Sequence, residues 1–309
     1  LDGDRPSHII MPAIHKTKED VAAIFAEHIP GAGYTEDVDE LIAIGRRALR
    51  DKFASAAVGV SGANFLVAET GTIVLVVQGM GTTSKMINAM KVGDRLEGIA
   101  GPLGQPSELH KIADDQTVVF TAGGVGLPPV YPIARANLQL GNHVPLIAGF
   151  RSADRLFWVG EGERVDELQA EFGDQLEVIY TSNDGSFGIE GFVTVPLKDL
   201  LDANQRGEGR PIAEVTTIGP PMMMRSVSDL TKPYGAKTVA SLNSIMVDAT
   251  GMCGACMVPV LIDGKLIRKH ACIDGPELDS HAIDWDKFLP RFNLFKSQEQ
   301  QSKIKHGWV

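Results

Sequence analysis

The chain has 309 residues, 44% of them hydrophobic and 22% charged, the balance of a globular protein with room for two or three cores. A formal net charge of -10 argues against nucleic acid as a partner. No apolar run approaches the ~20 residues that cross a bilayer, no signal-peptide pattern opens the chain, and the cysteines form no pairing framework, so a reducing cytoplasm is expected.

In chain order, helices are expected over Lys18–His28 and Asp37–Phe53, where Leu41, Ile44, Ala48 and Leu49 fall near one face. Asn64–Ala68 is apolar, and Ile73–Val77 is a β-branched strand. It runs into a turn whose Gly81, Thr82, Thr83 and Ser84 offer amides and hydroxyls. A further strand from Val92 ends in Gly101, Pro102, Leu103 and Gly104.

An alternating α/β block follows. Thr117–Ala122 is a continuous apolar run, as suits a parallel strand buried on both faces. Gly123, Gly124, Val125 and Gly126 then lead into a helix reaching about Leu140, a turn that lets a pyrophosphate approach a helix N-terminus. Strands recur at His143–Phe150, Leu176–Ser182, Glu214–Ile218 and Lys237–Leu242. Helices at Glu163–Phe172, Leu197–Asn204 and Met222–Leu230 separate them. This alternation gives a doubly wound parallel sheet, whose ligands bind at the carboxyl ends of its strands. Arg151, then Asp184 with Gly185, then Gly219, Pro220 and Met222 stand at such ends. The competing readings are a surface ion pair for Arg151, a plain turn at Asp184, and core packing for the methionines.

All three cysteines lie beyond the last strand of this block. Cys253 and Cys256 form a C-x-x-C bite, and Cys272 returns after a strand–turn–strand reading through Asp263 and Gly264. Soft thiolates gathered this closely suit an iron–sulfur cluster, although zinc accepts the same donors. Gly251 and Gly254 leave room for backbone amides beside cluster sulfurs. A fourth ligand is needed, and Asp248 lies five residues before Cys253. The eight histidines show no metal spacing, and the polar stretch from Trp285 to Val309 reveals little.

The run Asp248-Ala-Thr-Gly-Met-Cys253-Gly-Ala-Cys256, with Ser241–Asp248 before it and Cys272–Glu277 after it, resembles the small subunit of NADH-dependent ferredoxin:NADP oxidoreductase. The likeness extends over about 72–286. The related electron-transfer subunit of dihydroorotate dehydrogenase has Cys where this chain has Asp248. The stretch Asp51–Leu75 and the helical region before it resemble part of a lactate-utilisation (LUD) domain, without the cysteine motifs that usually accompany it.

The resemblance implies a ferredoxin-reductase-like α/β fold: an incomplete flavin-binding β-barrel remnant, a doubly wound parallel sheet and a small C-terminal [2Fe-2S] module. The expected division is an LUD-like segment (1–75), the barrel remnant (76–112), a NAD-binding α/β domain (113–243), the [2Fe-2S] module (244–283) and a tail (284–309). Asp248, Cys253, Cys256 and Cys272 would hold the cluster. Gly81–Ser84 and Gly101–Gly104 would face FAD, and the residues at the strand ends would line NAD(H). The Arg-x-Tyr/Leu-Ser/Thr strand that pins the flavin is missing where the LUD-like segment stands. FAD is therefore expected to bind weakly or not at all, with that segment packed on the barrel remnant. The implied partner is a larger flavin and [4Fe-4S] subunit that binds NADP, with ferredoxin reached indirectly. No residue is expected to act as an acid or base. The alternatives are a dihydroorotate dehydrogenase electron-transfer subunit, a non-catalytic fusion scaffold binding nucleotide and cluster, and an LUD-type lactate-oxidation component.

Overall fold

The computed structural model describes residues 17–38, 40, 41, 43–45, 47, 48, 65–67, 72–74, 85, 87, 89–91, 104–246, 249–294, 296–305 and 307. Gly81, Thr82, Thr83, Ser84, Gly101, Pro102, Leu103 and Asp248 lie outside them. The chain divides into two compact units, 1–60 with 95–99, and 61–94 with 100–309.

The first unit carries α1 (Lys18–His28). A capping box starts it: Thr17 Oγ1 accepts from the Asp20 amide at 3.2 Å, and Asp20 Oδ2 accepts from the Thr17 amide at 2.9 Å. The described residues between 38 and 48 are helical, and Leu41 and Ile44 are buried as their spacing requires.

The second unit opens with two short strands, β1 (Phe65–Val67) and β2 (Thr72–Val74), paired antiparallel with Leu66 opposite Ile73. The pairing joins the LUD-like strand to the stretch, from about residue 72, where the reductase-like resemblance begins.

A seven-stranded sheet is the scaffold. Its members are β3 (Thr117–Gly123), β4 (Val144–Phe150), β5 (Leu176–Ser182), β6 (Ile189–Glu190), β7 (Ile212–Ile218), β8 (Thr238–Ser241) and β11 (Glu277–Asp279). The order β11-β8-β7-β3-β4-β5-β6 is parallel throughout except for β11, which runs antiparallel to β8. Every residue of β3 is buried, Thr117 and Thr121 among them, so no polar face alternates along it.

Helices cover both faces. α2 (Leu127–Gln139) and α3 (Arg164–Phe172) close a core around Phe120, Leu146 and Ala148. α4 (Thr194–Gln205) and α5 (Pro221–Thr231) close the other around Val119, Ile147 and Val215. Asn142 is 1% exposed and pins the incoming chain. Its side chain accepts from the Ile112 amide at 3.1 Å and donates to the His110 carbonyl at 2.9 Å.

A hairpin of β9 (Met257–Ile262) and β10 (Lys265–His270) forms a separate two-stranded sheet. Its Asp263-Gly264 turn has φ of 50° and 74°, the geometry a tight hairpin asks for. The start of the expected tail is not peripheral. In α6 (Trp285–Phe288), Trp285 and Phe288 are buried with Cys256, Val258 and Cys272 in one core. α7 (Lys296–Lys305) follows with no buried residue. Among the described residues, no helix is long and apolar enough to cross a membrane.

Candidate functional site

The sheet changes winding direction between β3 and β7, since β4 and β5 continue on one side of β3 and β7 and β8 lie on the other. A crevice outside the strand ends at such a switch is the expected ligand position. The chain places glycine backbone at this point. After β3, a 3-10 turn over Gly124–Gly126 leads into α2, with Gly124 at φ +51°. A Cβ on Gly126 would run into the Ile218 carbonyl, and one on Gly219 would stand 3.0 Å from the Gly123 amide nitrogen. The loops after β3 and β7 therefore touch backbone to backbone.

The structure refines two expectations here. α2 lacks much of the donor set of an ordinary helix start, because Pro128 and Pro129 have no N–H and the Leu127 N–H goes to the Gly124 carbonyl. Anion donors at this end must come from the 3-10 turn. Of the three methionines opening α5, Met223 packs over the glycines, with its Cε 2.7 Å from where a Gly219 Cβ would stand. Met222 is 61% exposed, and Met224 is fully buried.

The loops after β4 and β5 are tied together, which places Arg151 and Asp184 on neighbouring segments. Asn183 N–H donates to the Phe150 carbonyl at 3.1 Å, and Ala153 N–H donates to Ser186 Oγ at 2.8 Å. Ser186 in turn donates to Asp184 Oδ1 at 2.6 Å, and this bond holds the Asp184 carboxyl below its usual range. Gly185 takes φ +70° in the turn. Arg151 is exposed. Ser186 was not singled out from the sequence; the signal was Asp184-Gly185-Ser186, where an Asx turn supplies its own hydroxyl partner. Thr121 and Thr217, register partners on β3 and β7, and Thr181 on β5 bury hydroxyls without a protein acceptor.

The cysteines stand beyond β8. Backbone turns shape their loop, with positive φ at Ala249, Gly251 and Gly254. Cys256 and Cys272 are brought together, Sγ to Sγ 3.2 Å, both buried as free thiols. Burial and the neighbouring Cys256 thiol push the Cys272 thiol upward, so loading a metal must displace protons. Cys253 is exposed, and its sulfur already accepts the Ala255 N–H at 3.4 Å. Among the described residues no three His, Cys, Asp or Glu side chains converge as an ion-binding group. The donor set still fits an iron–sulfur cluster: two paired thiols, a third on the same loop, and a backbone amide directed at sulfur.

Gln105, Gly104 and Arg291 brace the cysteine module. Gln105 N–H donates to the Gly275 carbonyl at 2.6 Å, and Gln105 Nε2 donates to the Ile273 carbonyl at 2.9 Å. Gly104, at φ +80°, lies against Gly275, where a Cβ would meet the carbonyl. This is the one expected flavin-facing residue that the structure describes, and it packs on the cysteine module. Arg291 Nη2 donates to the Gly254 and Ala255 carbonyls, both at 3.2 Å.

Comparison with known proteins bears on the family and the fold. The family model of the LUD domain matches residues 4–91, reaching past the expected boundary at 75. That of the iron–sulfur cluster binding domain of dihydroorotate dehydrogenase B matches residues 243–284. An uncharacterized protein in the adh 3' region of Clostridium beijerinckii is 36% identical over 241 residues, 77% of this chain and 76% of its own length. A dihydroorotate dehydrogenase B (NAD(+)) electron transfer subunit homolog of Thermotoga maritima is 36% identical over 234 residues, 76% of this chain and 75% of its own. The solved structure of an NADH-dependent reduced ferredoxin-NADP oxidoreductase matches with a TM-score of 0.65 at 34% identity, covering 79% of this chain and 80% of the other. The chain carries an iron–sulfur cluster binding domain on a ferredoxin-reductase-like α/β fold, and it belongs to the oxidoreductase family of dihydroorotate dehydrogenase B electron-transfer subunits and their homologues.

Proposed function

We propose that this chain is the electron-transfer subunit of an NADH-dependent ferredoxin:NADP oxidoreductase. The observation that carries the reading is the buried Cys256–Cys272 thiol pair beside Cys253, in a module rooted on the edge of a nucleotide-type sheet. Asp248, Cys253, Cys256 and Cys272 would hold a [2Fe-2S] cluster, which supplies one-electron transfer when bound. Gly123–Gly126, Arg151, Asp184, Gly185, Gly219, Pro220 and Met222 would line NAD(H), and the crevice between the β3 and β7 loops would orient it. Gly81–Ser84 and Gly101–Leu103 are left to face FAD, since Gly104 packs on the cysteine module. The larger flavin and [4Fe-4S] subunit would take the electrons, with ferredoxin beyond it, in a reducing cytoplasm that keeps the thiols free.

Iron, sulfide and flavin content of anaerobically purified protein, with its visible and electron paramagnetic resonance spectra, tests this reading. About two irons per chain and the spectrum of a [2Fe-2S] centre are expected. Zinc alone in the cysteine loop would overturn it.

A second reading, electron delivery to a dihydroorotate dehydrogenase, is favoured by the names of relatives such as the Thermotoga protein. Asp248 argues against it, and Asp248→Cys tests that ground: an unchanged cluster potential would mean that the aspartate is not a ligand.

A further inference from the structure

The end of the chain reads as an uninformative polar tail, yet its first third is locked onto the cysteine module. Leu261 N–H donates to the Ala282 carbonyl at 2.7 Å, and Asp284 N–H donates to the Pro259 carbonyl at 2.9 Å, laying the segment along β9. Trp285 Nε1 donates to the Ser280 carbonyl at 3.1 Å. Asp284 caps α6 by accepting the Lys287 amide at 3.1 Å. Phe288 then stacks edge-on between Trp285 and Phe292, at centroid separations of 5.9 and 5.1 Å. These contacts fix the 3-10 segment Leu289–Asn293 and aim one residue at the cysteine loop.

That residue is Arg291. Its Nη2 reaches the carbonyls of Gly254 and Ala255, the two residues between Cys253 and Cys256. Its Nε is buried without an acceptor, as is Ser244 Oγ, and both groups line one small recess with Ala255, Phe288 and Phe292. A guanidinium is never neutral at working pH and is forked, so it can grip two carbonyls at once. Partly removed from water, its charge is screened less than that of a surface cation.

We infer that Arg291 is a positioning residue of the electron-transfer site: it clamps the Cys253–Cys256 loop and biases the site toward the reduced state. The inference rests on the cluster reading above. Adding one electron at this site makes it more negative by one charge, with no bond made or broken. A fixed cation next to the loop stabilises that extra charge and raises the potential.

The test is a potentiometric titration of the intact protein, with dithionite as reductant and electron paramagnetic resonance as readout. Arg291→Met should keep the cluster but lower its potential by the equivalent of about a tenfold loss in the reduction equilibrium, about 59 mV for a one-electron couple. Arg291→Lys should recover most of the shift, because it returns the charge without the fork. An unchanged potential in Arg291→Met overturns the inference. Where that variant loses its iron, Arg291→Gln and Arg291→Lys carry the same comparison. A lower potential in the neutral one supports the inference, and equal potentials overturn it. Absence of iron from the unaltered protein would defeat the cluster reading itself, before any variant is made.

Discussion

Glycines shape both halves of the site, and they do so for opposite reasons. At the crevice, Gly126 has an ordinary helical backbone, φ -72°, but no space: the Ile218 carbonyl occupies the place of a side chain. In the cysteine loop, Gly254 has open space around it but a backbone at φ +65°. The first glycine permits two chain segments to touch; the second permits one segment to turn. The crevice is accordingly set by packing within the sheet domain. The cysteine loop is set by local turns and a few braces, and metal binding is coupled to its order.

That contrast can be broken by substitution. Gly126→Ala puts a methyl group into backbone that cannot yield, and should destabilise the sheet domain by about 3 kcal/mol in urea unfolding. A wild-type midpoint would mean the two loops are not in contact. Cys272→Ala should abolish iron binding and cost roughly 1–2 kcal/mol in the iron-free protein, while leaving nucleotide affinity by calorimetry unchanged. Coupled loss of nucleotide binding would show that the two regions are not separately built. Gly254→Ala meets only backbone strain and should cost about 1 kcal/mol, with Gly254→Asn milder because Asn tolerates that conformation. Equal penalties at 126 and 254 would erase the distinction.

The smallest expected effect concerns Glu277, which accepts from Ser107 Oγ at 2.6 Å. Burial, with Glu214 and Glu108 nearby, raises its carboxyl above the usual range. A carboxyl raised on folding contributes stability below its unfolded value and loses it as pH rises through the folded one. Glu277→Gln should therefore raise the urea midpoint at about pH 8 and leave it nearly unchanged at about pH 4. The reverse order would mean that Ser107 requires the ionised form.

Much of the sheet could be read from the chain because its strands announce themselves. Leu176–Ser182 was expected at the bounds observed, and the limits of β4, β7 and β8 moved by one or two residues. β6 and β11, of two and three residues, are too short for any periodicity to show. Their pairing is decided by neighbouring strands. The donor-poor start of α2 was legible in Leu127-Pro128-Pro129, where the dipole argument counted amides that proline does not have. Arg291 could not be read at all. Its role depends on Trp285 and Phe288 docking on β9, a contact between segments that local pattern does not encode.

The antiparallel strand β11 has a topological consequence. The chain leaves the sheet at Ser241 and comes back at Glu277 directly opposite it, with Leu242 N–H bonded to the Pro276 carbonyl at 2.9 Å. Everything from Leu242 to Pro276 is thus an excursion whose two feet stand side by side. A short hairpin could join the same feet, because segments with adjacent ends are the ones folds gain and lose with least disturbance. The cysteine module is in this sense a cassette, whose removal would not require the sheet to be rethreaded.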